Sequence, residues 1–220
     1  TKSIEGPSVI TALNDRLPDD IVAWGARKVP SITSSRPIIS RKYFYRCEVM
    51  KNWPQDVNLN LLEEACELFV GTHNFTNLCR LEEGKNPVRS VVNCEPWLNH
   101  DGRPIGISVT AESFLWNQVR RMASAITGVV SGEFKLEFVA NALKNPQIPV
   151  DMGMGTSKGL ILWEIEHVSL GGLGTGTTPD TRIFSKPPLS TRHHKTWMSL
   201  SSLEMSTMLN SEWIREIGLP

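Results

Sequence analysis

Apolar positions recur along this chain in two rhythms, and their alternation predicts its elements. Residues 21–29 read as a strand closed by Pro30. Residues 42–50 read as a second strand, alternating about Tyr43, Tyr45 and Cys47. Asp56, Val57 and Asn58 offer caps for a helix over residues 59–70, whose apolar stripe is Leu61, Leu62, Ala65, Leu68 and Phe69. Two further strands, residues 89–98 and 105–110, are joined through the turn sequence Asn99-His100-Asp101-Gly102. A helix follows from near Trp116 and ends near Gly128 or Gly132. Its Val119, Met122, Ala123, Ile126 and Val130 share one face. A shorter helix over residues 136–143 precedes a loop containing Pro146 and Pro149, and residues 160–168 form the last clear strand. The order β-β-α-β-β-α-α-β predicts an α+β fold, a largely antiparallel sheet with helices packed on one face.

The texture changes after Val168. Residues 1–168 read as one domain portion, and residues 169–180, rich in Gly and Thr, as a flexible linker. Residues 181–220 read as a basic tail, in which Arg182, Lys186, Arg192, His193, His194 and Lys195 cluster. The tail suits a solvated extension better than an RNA-contacting arm. Residues 201–217 offer a terminal helix with Leu203, Met208, Leu209, Trp213 and Ile217 available for docking.

Composition narrows the classes. With 220 residues, 40% of them apolar, there is room for one substantial core. The formal net charge is +0, so any nucleic-acid face must come from local clustering rather than from a global basic field. Cys47, Cys66, Cys79 and Cys94 form no C-x-x-C pair, which argues against zinc or a redox dithiol. No apolar run approaches the roughly 20 residues of a membrane-spanning helix, and no signal-peptide pattern opens the chain. A cytoplasmic setting is expected.

Candidate chemistry concentrates in two places. In residues 113–122, Asn117, Arg120 and Arg121 share a face at i, i+3, i+4 near a helix start, where backbone N–H groups and the helix dipole favour an anion. On spacing alone an ordinary amphipathic helix with a solvated basic face explains them as well or better. The second place is Tyr43. The chain's two tyrosines, Tyr43 and Tyr45, lie on one face of a strand, with Arg36, Arg41, Lys42 and Arg46 nearby. Aromatics among cations hold phosphates while stacking a splayed base; a half-buried strand with exposed basic residues is the plainer alternative. His73 reads as a residue fixing a loop, since no Ser or Cys nucleophile motif accompanies it. The seven tryptophans, Trp116 included, are dispersed, and packing is their default role.

The wording of these segments says more than their spacing. Phe114-Leu115-Trp116-Asn117-Gln118-Val119-Arg120-Arg121-Met122 resembles the F-x-x-x-x-V-R motif of the TruA family of tRNA pseudouridine synthases. In the same order, Leu13-Asn14-Asp15-Arg16-Leu17-Pro18-Asp19-Asp20-Ile21 resembles the family's N-x-x-L-P-x-D-I segment, and Arg41-Lys42-Tyr43-Phe44-Tyr45 its R-(R/K)-Y-x-Y strand. Gly71-Thr72-His73-Asn74-Phe75-Thr76 is similar to G-x-H-(D/N)-F-T, Val88-Arg89-Ser90-Val91 to the arginine strand after it, and Gly159-Leu160-Ile161-Leu162 to the closing G-L-x-L. The resemblance runs over residues 13–167, and its Phe-to-Met segment looks archaeal rather than bacterial.

That resemblance implies a pseudouridine synthase fold and isomerisation of uridine to pseudouridine in the tRNA anticodon stem-loop, typically at positions 38 to 40, by a homodimer that needs no cofactor or metal and no membrane. It implies that Arg120 pairs with a catalytic aspartate, that Tyr43 lies against the target base and that Leu162 lines the pocket floor. Tyr45 is left to packing. Arg36, Arg41, Lys42, Arg89, Asn117 and Arg121 are the expected RNA contacts. One departure stands out: the family's aspartate lies in an R-T-D-x-G-V type motif upstream of the N-x-x-L-P segment, and no such motif occurs in these 220 residues. The chain is expected to be a C-terminal catalytic-domain portion, inactive alone. A non-catalytic RNA-binding module or a dimerisation domain is the alternative.

Overall fold

A computed structural model describes residues 6–18, 21–23, 26, 38–168, 170–173 and 177–216. Its centre is a sheet of six strands: β1 (Ile38–Arg46), β2 (Gly71–Asn74), β3 (Val88–Leu98), β4 (Pro104–Ala111), β5 (Leu160–His167) and β6 (Gly171–Leu173). They run in the order β2-β3-β4-β1-β5-β6, and every neighbouring pair is antiparallel. The helices are α1 (Gly6–Asn14), α2 (Leu59–Glu67), α3 (Gln118–Val130), α4 (Leu136–Lys144) and α5 (Thr191–Glu216).

Local chemistry explains several boundaries. Asn58 caps α2, its Oδ1 accepting from the backbone N–H of Leu61 at 3.2 Å. The stripe of α2 buries Leu62, Ala65 and Cys66 against the sheet and against Val119, Met122, Ala123 and Ile126 of α3. Val139 and Leu143 of α4 join the same core. All four cysteines are free and buried.

The expectation of helices on one face holds for α2, α3 and α4. The opposite face is covered by α5, where Met205 and Met208 pack on Phe44, Trp97, Ile161 and Trp163. This helix starts ten residues before the expected position and is 26 residues long. Its buried positions (Trp197, Ser201, Glu204, Met205, Met208, Glu212) keep a helical period, yet half of them are polar, so the apolar pattern hides the period.

Glu204 is buried because it meets Arg46. The Arg46 guanidinium, fully buried, donates to Glu204 at 2.6 Å, to Glu48 at 3.0 Å and to the Ser185 carbonyl at 2.9 Å, and lies 4.2 Å from the Phe184 ring centroid. Arg103 also pairs with Glu48. Arg46 is therefore an internal fastening of α5 to the sheet and no part of a basic RNA face.

Within the expected linker, Gly171–Leu173 pairs with β5 as a short edge strand. The expected strand at residues 21–29 lies largely outside the described residues; its described part, residues 21–23 and 26, carries no strand.

Candidate active site

Strand alternation sorts the cations and aromatics of β1 onto two faces. Tyr43 and Tyr45 point toward α3. Lys42 and Phe44 point the other way: the Lys42 ammonium sits 5.2 Å from the Phe44 ring centroid, and both line a cavity of about 550 Å³ with Trp97, Ser108 and Asp180. Lys42 thus lies on the opposite face from Tyr43, although the two are adjacent in sequence. Arg41 shares the Tyr43 face at the strand's outer end, where its guanidinium donates to the Glu112 carbonyl at 2.5 Å.

Tyr43 pairs across β1 with Val109 on one side and with Leu162 on the other. The Tyr43 ring is half-buried and meets Phe114 edge to face, centroids 5.2 Å apart. Leu162, beside it, is 44% exposed although its strand neighbours Ile161 and Trp163 are buried. Tyr43 and Leu162 thus form an aromatic and aliphatic surface open on one side. Burial raises the Tyr43 phenol, and nearby Arg41 pulls it the other way; the net shift is upward, so the phenol stays protonated at neutral pH.

Two residues along the same face, Tyr45 is fully buried and its hydroxyl donates to the Thr156 carbonyl at 2.7 Å. Against that hydroxyl lies Gly155, where a Cβ would come within 2.3 Å of Tyr45 Oη. Gly155 in turn holds Arg120 twice. Its carbonyl accepts from Arg120 Nε at 2.8 Å, and its N–H donates to the Arg120 carbonyl at 3.0 Å. Arg120 Nη1 donates to Asn117 Oδ1 at 3.1 Å. With Nε and Nη1 fixed, Nη2 makes no hydrogen bond among the described residues. The guanidinium is oriented by one edge and offers what remains to an anion.

The segment before α3 makes this possible residue by residue. Phe114 packs on Tyr43, and Leu115 is buried. Asn117 has φ 64° and ψ 7°, a left-handed conformation that Asn tolerates better than most residues. It is the one non-glycine residue with positive φ among the described residues. Gln118, fully buried, folds back so that its Oε1 accepts from the Leu115 N–H at 2.9 Å. The helix therefore starts at Gln118, two residues after the expected Trp116.

Arg121 diverges from Arg120, as consecutive helical residues must. Its Nη1 donates to Asp151 at 2.9 Å, and its Nε is buried without a partner. The Asp151 carboxyl is held low, first by the Gly153 N–H and then by Arg121. Arg89 donates to the Asn86 and Val88 carbonyls at 2.9 and 2.7 Å, and its Nε too lacks a partner. Burial raises the Cys79 thiol, and Arg121 and Arg89 oppose that rise; Arg121 and Cys79 line one cleft with Asp151. Arg36 lies outside the described residues. His73 does fix a loop, its Nε2 lying 2.8 Å from the Val70 carbonyl oxygen.

The structure pairs Tyr43 with Leu162 across β1 and β5, with Arg41 at the margin, and holds Asn117 and Arg120 together at the start of α3, where Phe114 links the segment to Tyr43. It turns Arg121 to Asp151, ties Arg89 to the Asn86 and Val88 carbonyls and puts Lys42 on the far face. Sequence reasoning missed Gly155 and gave Phe114, the first residue of the F-x-x-x-x-V-R match, no role at the site. The run Gly153-Met154-Gly155 was a usable signal, because closely spaced glycines after a proline loop mark backbone approaching something closely. Among the described residues no group of His, Cys, Asp and Glu could hold a metal, and no helix is long and apolar enough to cross a membrane.

Residues 65–167 match a family model described as tRNA pseudouridine synthase. The chain is 33% identical over 156 residues to tRNA pseudouridine synthase A of Methanocorpusculum labreanum, covering 71% of this chain and 53% of that protein. Against the namesake of Methanosphaera stadtmanae the identity is 30% over 163 residues, 73% of this chain and 58% of the relative. A bacterial relative from Anoxybacillus flavithermus is 28% identical over 168 residues, covering 71% and 68%. The chain spans about half the length of the curated archaeal relatives it matches. The matched segment includes Arg89, Asn117, Arg120, Arg121 and Leu162, while Tyr43 precedes it.

Proposed function

We propose, from a chain whose residues 65–167 belong to the tRNA pseudouridine synthase family, that Tyr43, Leu162 and Arg120 form the substrate side of a uridine-isomerising site. The reaction breaks the N1–C1′ bond of a uridine, turns the freed base and joins C5 to C1′. The proton leaves C5 and N1 gains one, so no oxidant or reductant is needed. The target base must leave its stack to be reached. Tyr43 receives it, and Leu162 closes the apolar side.

The observation that carries this reading is the Arg120 guanidinium, fixed by Gly155 and Asn117 with Nη2 unspent. It suits a carboxylate that must stay ionised in a partly desolvated pocket, whether that carboxylate attacks sugar or base. Within the family that group is the aspartate of an Arg-Thr-Asp motif, which these 220 residues do not contain. The proposed substrate is a uridine of the tRNA anticodon stem-loop at positions 38 to 40, and the active form is a cytoplasmic homodimer.

The test is isomerisation of an unmodified tRNA transcript by a protein carrying both this chain and an Arg-Thr-Asp segment, with pseudouridine mapped by nucleotide. Modification at positions 38 to 40 is expected, with none above background from the 220 residues alone. Pseudouridine made by the 220 residues alone would assign the nucleophile to a carboxylate within them. RNA binding without isomerisation by the longer protein would leave a binding module.

A further inference from the structure

The Phe-to-Met segment contains one residue that neither packing nor the chemistry above uses. Trp116 follows buried Leu115 and precedes the left-handed Asn117, and that turn leaves the indole 50% exposed. It is not a loose side chain. The Arg80 guanidinium carbon lies 4.2 Å from the indole centroid, and the Arg80 N–H donates to the Trp116 carbonyl at 2.8 Å. The pair is thus joined through both backbone and side chain.

Arg80 is exposed and forms no ion pair with a described residue, whereas the acidic neighbour Glu82 is taken by Lys85 at 2.6 Å. Its charge is unspent. Cys79, the residue just before Arg80, lines one cleft with Arg121, so a second guanidinium lies close along the chain. A guanidinium on an exposed indole presents both features that hold unpaired RNA, a stacking plane and N–H donors for phosphate.

We propose that the Arg80–Trp116 stack is a base-binding platform for an unpaired nucleotide of the RNA, adjacent to the one received by Tyr43. The base stacks on the pair, and Arg80 donates to the phosphate beside it. The platform reads no base edge, so it favours loops and splayed strands over duplex without choosing a sequence. This proposal rests on the RNA-directed reading of the Tyr43 and Arg120 site.

The test measures binding of a fluorescent anticodon stem-loop, and of a blunt duplex of equal length, to the wild-type chain and to Trp116→Ala, Trp116→Phe and Arg80→Ala. Trp116→Ala should weaken stem-loop binding by roughly 5- to 150-fold, the loss that removal of one stacking partner gives, and leave duplex binding unchanged. Trp116→Phe should keep most of the affinity. Arg80→Ala should lower the salt dependence by about one counterion, a slope that Trp116→Phe should leave at its wild-type value. Wild-type stem-loop affinity in Trp116→Ala would overturn the platform alone. So would equal losses on stem-loop and duplex. If the wild-type chain binds neither RNA, the RNA reading itself falls and takes this proposal with it. Should Trp116→Ala fail to fold, Arg80→Ala still decides: a salt slope unchanged from wild type in that variant overturns the proposal.

Discussion

Substituting Gly155 by alanine tests whether the placement of Arg120 depends on close packing against Tyr45. A Cβ there would lie 2.3 Å from Tyr45 Oη, 2.8 Å from its Cζ and 3.1 Å from Met50 Sδ. Tyr45 is fully buried and cannot swing aside without disturbing the core. The backbone of Gly155 cannot retreat freely either, because it carries both hydrogen bonds to Arg120. Overpacking of this kind costs about 1–3 kcal/mol, and in a protein of this size each kcal/mol shifts Tm by about 2–4 °C. A second substitution separates this contact from other strain. Tyr45→Phe removes the nearest atom and the bond to Thr156, and alone should cost about 0.5–1.5 kcal/mol. The double variant should therefore lose less than the sum of the singles, by at least about 0.5 kcal/mol, the lower range of coupling between touching residues. Denaturant unfolding of the four proteins reads the coupling, and stem-loop affinity reads whether Arg120 has moved. Strict additivity would refute the packing argument, as would a Gly155→Ala variant as stable as the parent.

Other expectations follow from the same geometry. In a protein that also carries the Arg-Thr-Asp segment, Arg120→Ala should lose turnover at saturating tRNA by orders of magnitude, since stripping a desolvated carboxylate of its partner costs about 3–5 kcal/mol; Arg120→Lys should also be poor, for want of the planar fork, and Arg121→Ala should keep most activity, so equal mild effects at both arginines would refute the pairing. Because Arg41 and Lys42 occupy opposite faces, Arg41→Ala should lower the salt slope of RNA binding while Lys42→Ala leaves it unchanged, and matching slopes would place both on one RNA surface. Asp180 is held down to about 2, first by the side-chain bond from Arg182 and then by the Arg182 backbone N–H; its contribution is present above the unfolded carboxyl value near 3.9 and lost as pH falls from there toward 2. Asp180→Asn should flatten stability against pH in that window, and an unchanged acid limb would show that the pairing adds nothing to the fold.

The sheet and its helical layer were legible because their periods are expressed in apolar residues. The stripe of α2, the face of α3 and the alternation of Tyr43 with Tyr45 all give the observed burial. The tail was not legible for a chemical reason. Ser201, Glu204 and Glu212 occupy inward positions of α5, so a hydrophobicity pattern sees a polar segment where the structure has a packed one. Glu204 is tolerated inside only because Arg46 meets it from β1, 158 residues away in sequence. Each of those charges reads as a surface residue when considered alone. Buried, each needs the other, since an unpaired ion there is far more costly than a matched pair.

The candidate site shows the same limit at shorter range. A cluster of cations written Arg41-Lys42, with Arg46 close behind, looks like one basic patch, but in a strand neighbouring side chains leave on opposite faces. The structure sends Arg41 to the rim of the Tyr43 face, Lys42 to the far cavity and Arg46 into the core. Around Asn117 a different rule applies. Asn117 takes a left-handed conformation, and of the three residues expected on one face only Asn117 and Arg120 stay together while Arg121 separates. Asn117 accepts from Arg120, Arg121 turns to Asp151, and Trp116 is left outward against Arg80. What aims the Arg120 guanidinium is therefore the turn before the helix and the glycine across from it, and neither has a hydrophobic period by which it could be read.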